Sequence, residues 1–355
     1  MMTDRRRAIR SRLLRWFDKN QRDLPWRRTR NPYRIWLAEI MLQQTRVPVV
    51  VDYYQRFLRA FPTVEKLARA PLDHVLRLWA GLGYYQRALN LHRAAKRIVR
   101  EYSGKFPRRL EAALALPGVG AYTARAVLSI AYQEPVAVVD GNVVRVLVRL
   151  HRLADADLRD RAALQPLADK LVDTRRPGDF NQALMELGST ICLPRWPRCG
   201  ECPLERTCAA RRAGVEQQIG VRRRKRERPT LKLTVVVARR DRRVLAVREP
   251  GGYFSGLWHF PYVKGARANG LARSLGANGI RPLVRFTHQT TMRDLDLRVY
   301  EVRVQAKPST TPQGARWVRP EKLADLGVGA ATRKISELLQ SKRAMGSLPP
   351  SAGLE

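Results

Sequence analysis

The chain has 355 residues, enough for two domains, and 45% of them are apolar, which is sufficient for a sizeable core. It carries 68 Lys and Arg against 31 Asp and Glu, a formal net charge of +37. Such an excess indicates a polyanionic partner, most commonly nucleic acid, although an arginine-rich surface spread over the whole chain gives the same count. No apolar run is long enough to span a membrane, and the charged start Met1–Arg10 has no apolar stretch typical of a secretory signal.

Residues 5–208 predict helix after helix, because apolar residues recur at spacings of three and four and the breaks fall at prolines and glycine pairs. β-branched runs such as Leu233–Ala238 and Leu295–Val304 follow, and a last amphipathic helix is predicted near Ala331–Gln340. We therefore predict an all-α domain over 1–208, a basic connector over 209–230, a small α+β domain over 231–342 and a disordered tail over 343–355.

Glu39 is the first candidate for chemistry, since it is a lone carboxyl in the apolar run Ile35–Leu42. A carboxyl deprived of water has a raised pKa, so it carries a proton near neutral pH and can act as a general acid. The alternative is a structural core glutamate that is neutralised by an arginine such as Arg34 or Arg46.

A glycine hairpin and an aspartate form the next pattern. Leu116–Gly120 is a short turn whose glycines, Gly118 and Gly120, leave room for a phosphate beside Val119, and the helix that follows directs its free N–H groups at that phosphate. Asp140 is predicted to start the helix Gly141–Leu150, where a carboxylate caps backbone amides and stays ionised. Breaking a glycosidic bond uses one protonated and one ionised carboxyl, as Glu39 and Asp140 would supply.

All four cysteines lie close together in the sequence, as Cys192, Cys199, Cys202 and Cys208. Thiols gathered in one loop of an intracellular chain indicate a metal site. Four thiolates suit either tetrahedral zinc or a 4Fe–4S cluster, and the single short Cys-x-x-Cys spacing favours the cluster.

These motifs resemble the helix-hairpin-helix DNA glycosylase superfamily, in its endonuclease III-like branch with an iron–sulfur loop, and within it the MutY family. The resemblance covers residues 8–208 and rests on several motifs in one order: Leu24–Arg27, Trp36–Thr45, Gly81–Tyr85, Leu116–Gly120, Val139–Val143 and Phe180–Ala183, together with the cysteine spacing. It implies one 4Fe–4S cluster on the four cysteines.

The resemblance also implies roles for individual residues. Glu39 matches the general acid, Asp140 the carboxylate that stabilises the sugar cation, and Asn142 and Tyr122 their catalytic neighbours. An extruded base needs apolar walls, hydrogen-bond partners and a plug for the gap in the duplex. The adenine pocket is matched by Arg22, Leu24, Trp26, Arg27 and Gln182, and contacts with the duplex by Gln44, Thr45, Leu82 and Tyr84.

Tyr122 also bears on the reaction type. Relatives that cut the DNA backbone carry a lysine here, which attacks the sugar and forms a Schiff base. A tyrosine has no such amine, so we expect a monofunctional glycosylase without efficient strand cleavage.

Residues 231–342 resemble the family's Nudix-like lesion-recognition domain through Gly256–Pro261. A Nudix pyrophosphatase needs carboxylates to hold magnesium, but Val263–Arg285 contains no Asp or Glu, so nucleotide hydrolysis is excluded. Phe286, Thr287 and His288 fall where the family has an aromatic–serine–histidine loop that inspects 8-oxoguanine, and Thr287 departs from the serine.

We thus expect a base excision repair glycosylase that removes adenine opposite 8-oxoguanine or guanine in double-stranded DNA, as a soluble, cytoplasmic, nucleoid-associated monomer. Two alternatives remain open. One is a related glycosylase for another base, such as thymine opposite guanine; the other is a non-catalytic iron–sulfur protein that binds DNA.

Overall fold

The computed structural model describes residues 2–153, 160–219, 228–249, 251–277, 279–290, 293–304 and 314–345. The described chain forms two compact units. One comprises the described parts of Met1–Arg69 and Arg93–Arg224, and the other those of Ala70–His92 and Lys225–Glu355. The sequence analysis placed the domain boundary at residue 208 and did not predict that Ala70–His92 belongs to the second unit.

The first unit is helical, as predicted, and no strand occurs among the described residues before Thr230. Proline and asparagine set the helix starts locally: Asn31 accepts a hydrogen bond from the Arg34 N–H group, and Pro32 opens the helix that carries Glu39. The helices that lie wholly in this unit are α1 (Met2–Asn20), α2 (Pro32–Leu42), α3 (Val47–Ala60), α4 (Val64–Arg69), α7 (Leu110–Leu114), α8 (Ala121–Tyr132), α9 (Gly141–His151), α10 (Arg161–Leu171), α11 (Pro177–Thr190) and α12 (Ala209–Arg212).

A core of buried aliphatic side chains joins α1, α9, α10 and α11. Leu204 and Ala210 belong to the same core, and Cys192, Cys202 and Cys208 pack against it. The cysteine loop is therefore part of the packed first unit, because its apolar residues are buried with the helices that precede it.

The second unit contains a mixed seven-stranded sheet, which agrees with the predicted α+β class. Its strands are β1 (Thr230–Arg240), β2 (Arg243–Arg248), β3 (Trp258–His259), β4 (Tyr262–Lys264), β5 (Arg281–Gln289), β6 (Asp294–Arg303) and β7 (Arg316–Val318). The path through the sheet is β3-β2-β1-β6-β5, with β4 on β1 and β7 on β2. The β1–β6 pair is parallel and the other named pairs are antiparallel.

Helices cover both faces of this sheet. Helix α14 (Ala330–Met345) packs on one face through Ile335 and Leu339, and α13 (Ala268–Ser274) packs on the other through Ala272. Helix α14 extends past residue 342, into the predicted tail, and residues 346–355 of that tail lie outside the described residues. Residues 220–227 of the predicted connector also lie outside them, whereas its first residues form α12 and its last, Thr230, begins β1.

The segment Ala70–His92 holds α5 (Leu72–Trp79) and the start of α6 (Gln86–Tyr102), which contributes to both units. Asp73 fixes this segment to the sheet, because its Oδ1 accepts hydrogen bonds from Arg248 Nη1 at 3.0 Å and from Trp258 Nε1 at 3.1 Å.

The strand predicted as Trp258–Val263 is instead two short strands. Pro261 lies between them and has no N–H group, so it cannot donate a ladder hydrogen bond, although its carbonyl accepts one from Val236 at 2.9 Å.

Candidate active site

Asp140 caps α9, as the sequence predicts. Its Oδ1 accepts hydrogen bonds from the backbone N–H groups of Asn142 at 2.9 Å and Val143 at 2.7 Å, and its Oδ2 accepts one from Asn142 Nδ2 at 3.0 Å. Burial raises the pKa of Asp140 above its ordinary value, against the lowering effect of these three donors and of Arg161. The sequence did not predict the rise. The donors nevertheless favour the ionised form, so we expect Asp140 to lose its proton before Glu39 does.

Glu39 is buried on α2 with only 5% of its surface exposed. Burial raises its pKa to about 7, and the charge of Asp140 adds to the rise. Tyr122 forms a hydrogen bond with the carboxyl, but Oε2 has no hydrogen-bond partner among the described residues. This burial is the environment from which the sequence analysis predicted a carboxyl that keeps its proton near neutral pH, and the protonated acid itself stays a prediction.

Within the described chain no ion pair joins Glu39 to Arg34 or Arg46, the two arginines named in the structural alternative, and that alternative stays open. Arg27 is the arginine whose charge lowers the pKa of Glu39, and this effect is smaller than that of burial.

Tyr122 lies near the start of α8, forms a hydrogen bond with Glu39 and is influenced by the charge of Asp140. Its pKa is raised well above the ordinary value by burial first, and then by the negative charges of Glu39 and Asp140. The hydroxyl also lies 3.3 Å from Met185 Sδ. A hydroxyl that keeps its proton can donate to the Glu39 carboxyl.

The glycine hairpin separates α7 from α8. Gly118 has a φ of +74°, a conformation that glycine adopts without strain, and the Val119 N–H group bonds to the Leu116 carbonyl at 3.1 Å. Gly120 is the N-cap of α8 and has an ordinary φ of −90°, with no side-chain cap. A Cβ atom added at Gly120 would meet nothing within 4 Å, so packing inside the protein does not explain the glycine.

Arg22 and Arg27, which were predicted in the base pocket, converge on a buried acid that the sequence analysis missed. Glu186 is 1% exposed and accepts hydrogen bonds from Arg22 at 2.6 and 2.7 Å and from Arg27 at 2.8 Å. Burial acts to raise its pKa, but the two arginines outweigh burial and lower it. The sequence signal was the same as for Glu39: one carboxyl in the apolar segment Ala183–Leu187.

The other predicted pocket residues lie on the same elements. Leu24 and Trp26 are buried, and Trp26 packs edge-on against Tyr54 with ring centroids 5.4 Å apart. Gln182 lies on α11 one turn before Glu186, and residues four apart share a helix face.

The residues predicted to enter the duplex fall in different units. Gln44, with a φ of +59°, and Thr45 follow α2 in the first unit. Leu82 and Tyr84 lie in the second unit, where Leu82 is only 5% exposed and Tyr84 is 36% exposed with a φ of +49°. The Leu82 side chain is thus buried in this structure, whereas Tyr84 is accessible.

The prediction that Phe286, Thr287 and His288 form a loop is wrong, because all three lie on β5 and pair with β6. Side chains alternate along a strand, so Phe286 and His288 share one face while Thr287 points to the other, opposite Asp296. Lys334 Nζ lies 4.4 Å from the centroid of the Phe286 ring. Burial and the charge of Lys334 lower the pKa of His288.

The four cysteines line one cavity of about 430 Å³, including its part open to solvent, between α9, α11 and the loop. No three His, Cys, Asp or Glu side chains in the described parts of the chain are arranged to hold a single metal ion. In a 4Fe–4S cluster each iron takes one thiolate, so the thiolates stand further apart than around a single ion. Four thiols that line one cavity are the donor set that a 4Fe–4S cluster uses.

Two buried arginines on α9 connect this loop to Asp140, and the sequence analysis missed both. Arg145 donates to the Cys192 carbonyl at 2.6 Å and to Asn142 Oδ1 at 2.8 Å, and Asn142 in turn donates to Asp140. Arg149 donates to Cys192 Sγ at 3.3 Å. The detectable signal was two arginines within the apolar helix Gly141–His151.

Comparison with known proteins agrees with this geometry. The model of the HhH-GPD superfamily base excision DNA repair proteins matches residues 37–167, and a NUDIX domain model matches residues 233–338. The adenine DNA glycosylase of Homo sapiens is 35% identical, over 95% of this chain and 74% of the human protein. That of Mus musculus is 36% identical, over 95% of this chain and 78% of its own length.

A solved thermostable thymine-DNA glycosylase is also similar, with 33% identity and a TM-score of 0.55, over 60% of this chain and 99% of that one. The helical fold is that of a DNA glycosylase of base excision repair. The chain belongs to the adenine DNA glycosylase family, which confirms the resemblance found in the sequence. In the described chain no helix combines the length and apolar character needed to cross a membrane.

The two hairpin glycines allow a matched test. We expect Gly120→Ala to leave thermal stability unchanged, because a Cβ has space, and to weaken DNA binding about tenfold by blocking one charge-assisted contact with a phosphate. Gly118→Ala should instead destabilise the protein by about 1–2 kcal/mol, because its φ is positive. Thermal melts and DNA titrations measure both. Normal DNA affinity in a stable Gly120→Ala protein would contradict the phosphate contact.

Proposed function

We propose that this enzyme excises adenine mispaired with 8-oxoguanine, or with guanine, from double-stranded DNA. The observation that carries the proposal is a pair of buried carboxyls with different hydrogen-bond surroundings. Glu39 is buried with a pKa of about 7, whereas Asp140 is held by three hydrogen-bond donors. Both relatives compared above are named adenine DNA glycosylases, which supports adenine as the base.

In the proposed reaction Glu39 donates its proton to a ring nitrogen of the flipped adenine. The N-glycosidic bond then breaks, its electron pair leaves with the base, and a sugar cation forms. The Asp140 carboxylate stabilises that cation, as an ion pair or through a transient bond. Water adds to the sugar carbon and gives its proton to the Glu39 carboxylate, so the acid is restored.

Tyr122 and Asn142 support these steps without entering the bond changes. Tyr122 holds the Glu39 carboxyl by a hydrogen bond, and Asn142 fixes the second oxygen of Asp140. Because position 122 carries a hydroxyl and no amine, no Schiff base with the sugar forms by the route that a lysine would provide there. The proposed enzyme is therefore monofunctional.

The adenine pocket is proposed at Arg22, Leu24, Trp26, Arg27 and Gln182. The ion pairs with Glu186 hold both guanidinium groups in place, and the buried rings and aliphatic side chains provide the apolar wall that an extruded base requires. Gln44, Thr45, Leu82 and Tyr84 are proposed to contact the opened duplex, and Gly118, Val119 and Gly120 to contact a phosphate.

The second domain is proposed to recognise the lesion through β5. Phe286, Thr287 and His288 remain the candidates, but the strand presents Thr287 on a different face from the other two. The three side chains therefore cannot all contact 8-oxoguanine directly. Either Thr287 contacts the base, or Phe286 and His288 do.

Cys192, Cys199, Cys202 and Cys208 are proposed to hold one 4Fe–4S cluster, which would supply structural cross-linking of the loop. Arg145 and Arg149 fix the loop's backbone to α9, the helix that Asp140 caps. Helix α9 thus positions both the cysteine loop and the proposed catalytic aspartate.

Thymine excision is the second candidate, because the similar solved structure is a thymine-DNA glycosylase. That protein aligns with 60% of this chain while covering 99% of itself, so it lacks a counterpart for much of the remaining sequence. The presence of the Nudix-like domain favours adenine.

Base release from defined duplexes tests the proposal. We expect adenine loss from an 8-oxoguanine:adenine duplex under single-turnover conditions, with strand cleavage only after alkali. The rate should fall as pH rises through about 7, because the Glu39 acid loses its proton. Glu39→Gln should lower the rate at least about 100-fold.

A guanine:thymine duplex is the matched substrate control. Faster thymine than adenine release would establish the second candidate, and strand cleavage before alkali would contradict the monofunctional mechanism. Binding without release of either base would refute the enzymatic assignment for these substrates.

Substitution of one proposed cluster ligand tests the loop. Cys199→Ala should lower both the melting temperature and DNA affinity, because the loop packs in the core of the first unit and is joined to α9. Iron content, melting temperature and binding are measured on the same preparation, with Cys199→Ser as the size-matched variant. Full stability with normal binding would disprove a structural role for the cluster.

A further inference from the structure

Arg87 is a buried cation on α6 that the proposed excision reaction does not use. It is only 8% exposed, and an arginine is rarely buried unless partners satisfy its donors. Burial lowers its pKa to about 10, so the guanidinium still carries its charge at neutral pH. The contacts of Arg87 lead to the loop of residues 80–85, which joins α5 to α6.

The guanidinium holds the backbone of this loop at two consecutive carbonyls. Arg87 Nη2 donates to the Leu82 carbonyl at 3.1 Å and to the Gly83 carbonyl at 3.2 Å. The Gly83 carbonyl also accepts a hydrogen bond from Trp79 Nε1 at 3.0 Å. Side chains from the two flanking helices therefore fix the same stretch of loop backbone.

The loop backbone is unusual at Tyr84, which explains why it is held so closely. Tyr84 has a φ of +49°, a left-handed value that persists in a bulky residue only where its surroundings impose it. The peptide group before Tyr84 is bonded to the Arg87 side chain through the Gly83 carbonyl. The peptide group after it is bonded to the Arg87 N–H group, which donates to the Tyr84 carbonyl at 2.9 Å. Arg87 thus holds the chain on both sides of the Tyr84 α-carbon.

Arg87 also occupies one face of the Tyr84 ring. Its Cζ lies 5.2 Å from the centroid of that ring and 5.3 Å from the centroid of Trp79. Trp79 is fully buried, whereas Tyr84 is 36% exposed. A guanidinium over an aromatic face is a favourable contact, and it is stronger where water is excluded. With one face of the Tyr84 ring covered, the other is left for a further planar group.

This combination of contacts requires an arginine. A guanidinium is planar, carries its donors in a fixed fork and stacks on aromatic rings, whereas the ammonium of lysine is a compact point charge. A lysine at position 87 would keep the charge but could not lie flat on the Tyr84 ring while it donates to both carbonyls. The planar shape of the group, rather than its charge, is therefore the property to test.

We propose that Arg87 is a positioning residue for base extrusion. It holds the loop of residues 80–85 and one face of the Tyr84 ring, so that the other face is presented to the bases of the duplex. The inference rests on the proposed function in taking Tyr84 as a side chain that enters the opened duplex. Arg87 acts through Tyr84, and it takes no part in the bond changes.

Extrusion is measured apart from the chemistry in the full-length, cluster-loaded protein with Glu39→Gln. The duplex carries adenine opposite 8-oxoguanine, with 2-aminopurine beside that adenine, and the fluorescence of 2-aminopurine rises when its stacking is lost. Tyr84→Ala should lower the equilibrium constant for extrusion about 5- to 100-fold, because the ring no longer stacks in the duplex. Arg87→Lys should lower it within the same range. Arg93→Lys is the matched control, since Arg93 is exposed on the same helix, and it should leave extrusion unchanged.

A double-mutant cycle separates positioning of the ring from general loss of structure. In the background of Tyr84→Ala, Arg87→Lys should change extrusion by less than about twofold, because no ring remains to be positioned. In the background of Tyr84→Phe, which retains a ring, Arg87→Lys should keep its full effect. General damage to the loop would lower extrusion equally in both backgrounds. Arg87→Met is a second variant, which fills similar space without the charge and should also lower extrusion, and melting temperatures establish which variants are folded.

Extrusion by folded Arg87→Lys and Arg87→Met proteins at the level of the parent would overturn the proposal. An equal loss in the Tyr84→Ala and Tyr84→Phe backgrounds would do so too. Unchanged extrusion in Tyr84→Ala would also contradict it, because the ring would then have no role for Arg87 to support. Adenine release is read separately with Glu39 intact: its absence refutes the proposed excision reaction, whereas extrusion that depends on Arg87 still supports the inference.

Discussion

The candidate active site depends on one electrostatic constraint: burial raises the pKa of both Glu39 and Asp140, but three hydrogen-bond donors oppose the rise at Asp140. Glu39 has lost its water and has an oxygen without a partner in the described chain, so the neutral acid is favoured. Asp140 is also deprived of water, but three donors at a helix start favour its anion. Tyr122 forms a hydrogen bond with Glu39 alone of the two. Two ionised carboxyls, or two neutral ones, would lack either the proton or the charge that cleavage of a glycosidic bond requires.

The buried arginines around the site act on the same balance between burial and hydrogen bonding. Glu186 is as deeply buried as Glu39, yet Arg22 and Arg27 lower its pKa, so burial alone does not produce an acid. Arg145 holds Asn142, which holds Asp140, and also binds the backbone of Cys192. Two hydrogen-bonded side chains therefore connect Asp140 to the cysteine loop, which gives the cluster proposed there a structural role.

Local features of this site could be predicted from the sequence, and distant pairings could not. The cap at Asp140 involves residues two and three positions away, and the burial of Glu39 follows from its neighbours on α2. The pairing of Arg22 with Glu186 joins residues 164 positions apart and leaves no periodic pattern. Strand β5 was missed because its exposed side chains make the segment polar, and the grouping of Ala70–His92 with the sheet depends on Asp73, which is 175 positions from Arg248.

The central claim is that Glu39 is protonated near neutral pH in the free enzyme. Isotope-edited infrared titration of glutamate carboxyls, with Glu39→Gln as the difference reference, measures this group directly. We predict that the carboxyl band assigned to Glu39 disappears with a midpoint near pH 7, because burial raises its pKa to about 7. A midpoint near the ordinary value of 4.5 would contradict the account, since Glu39 would then be an anion at neutral pH and could not supply the proton.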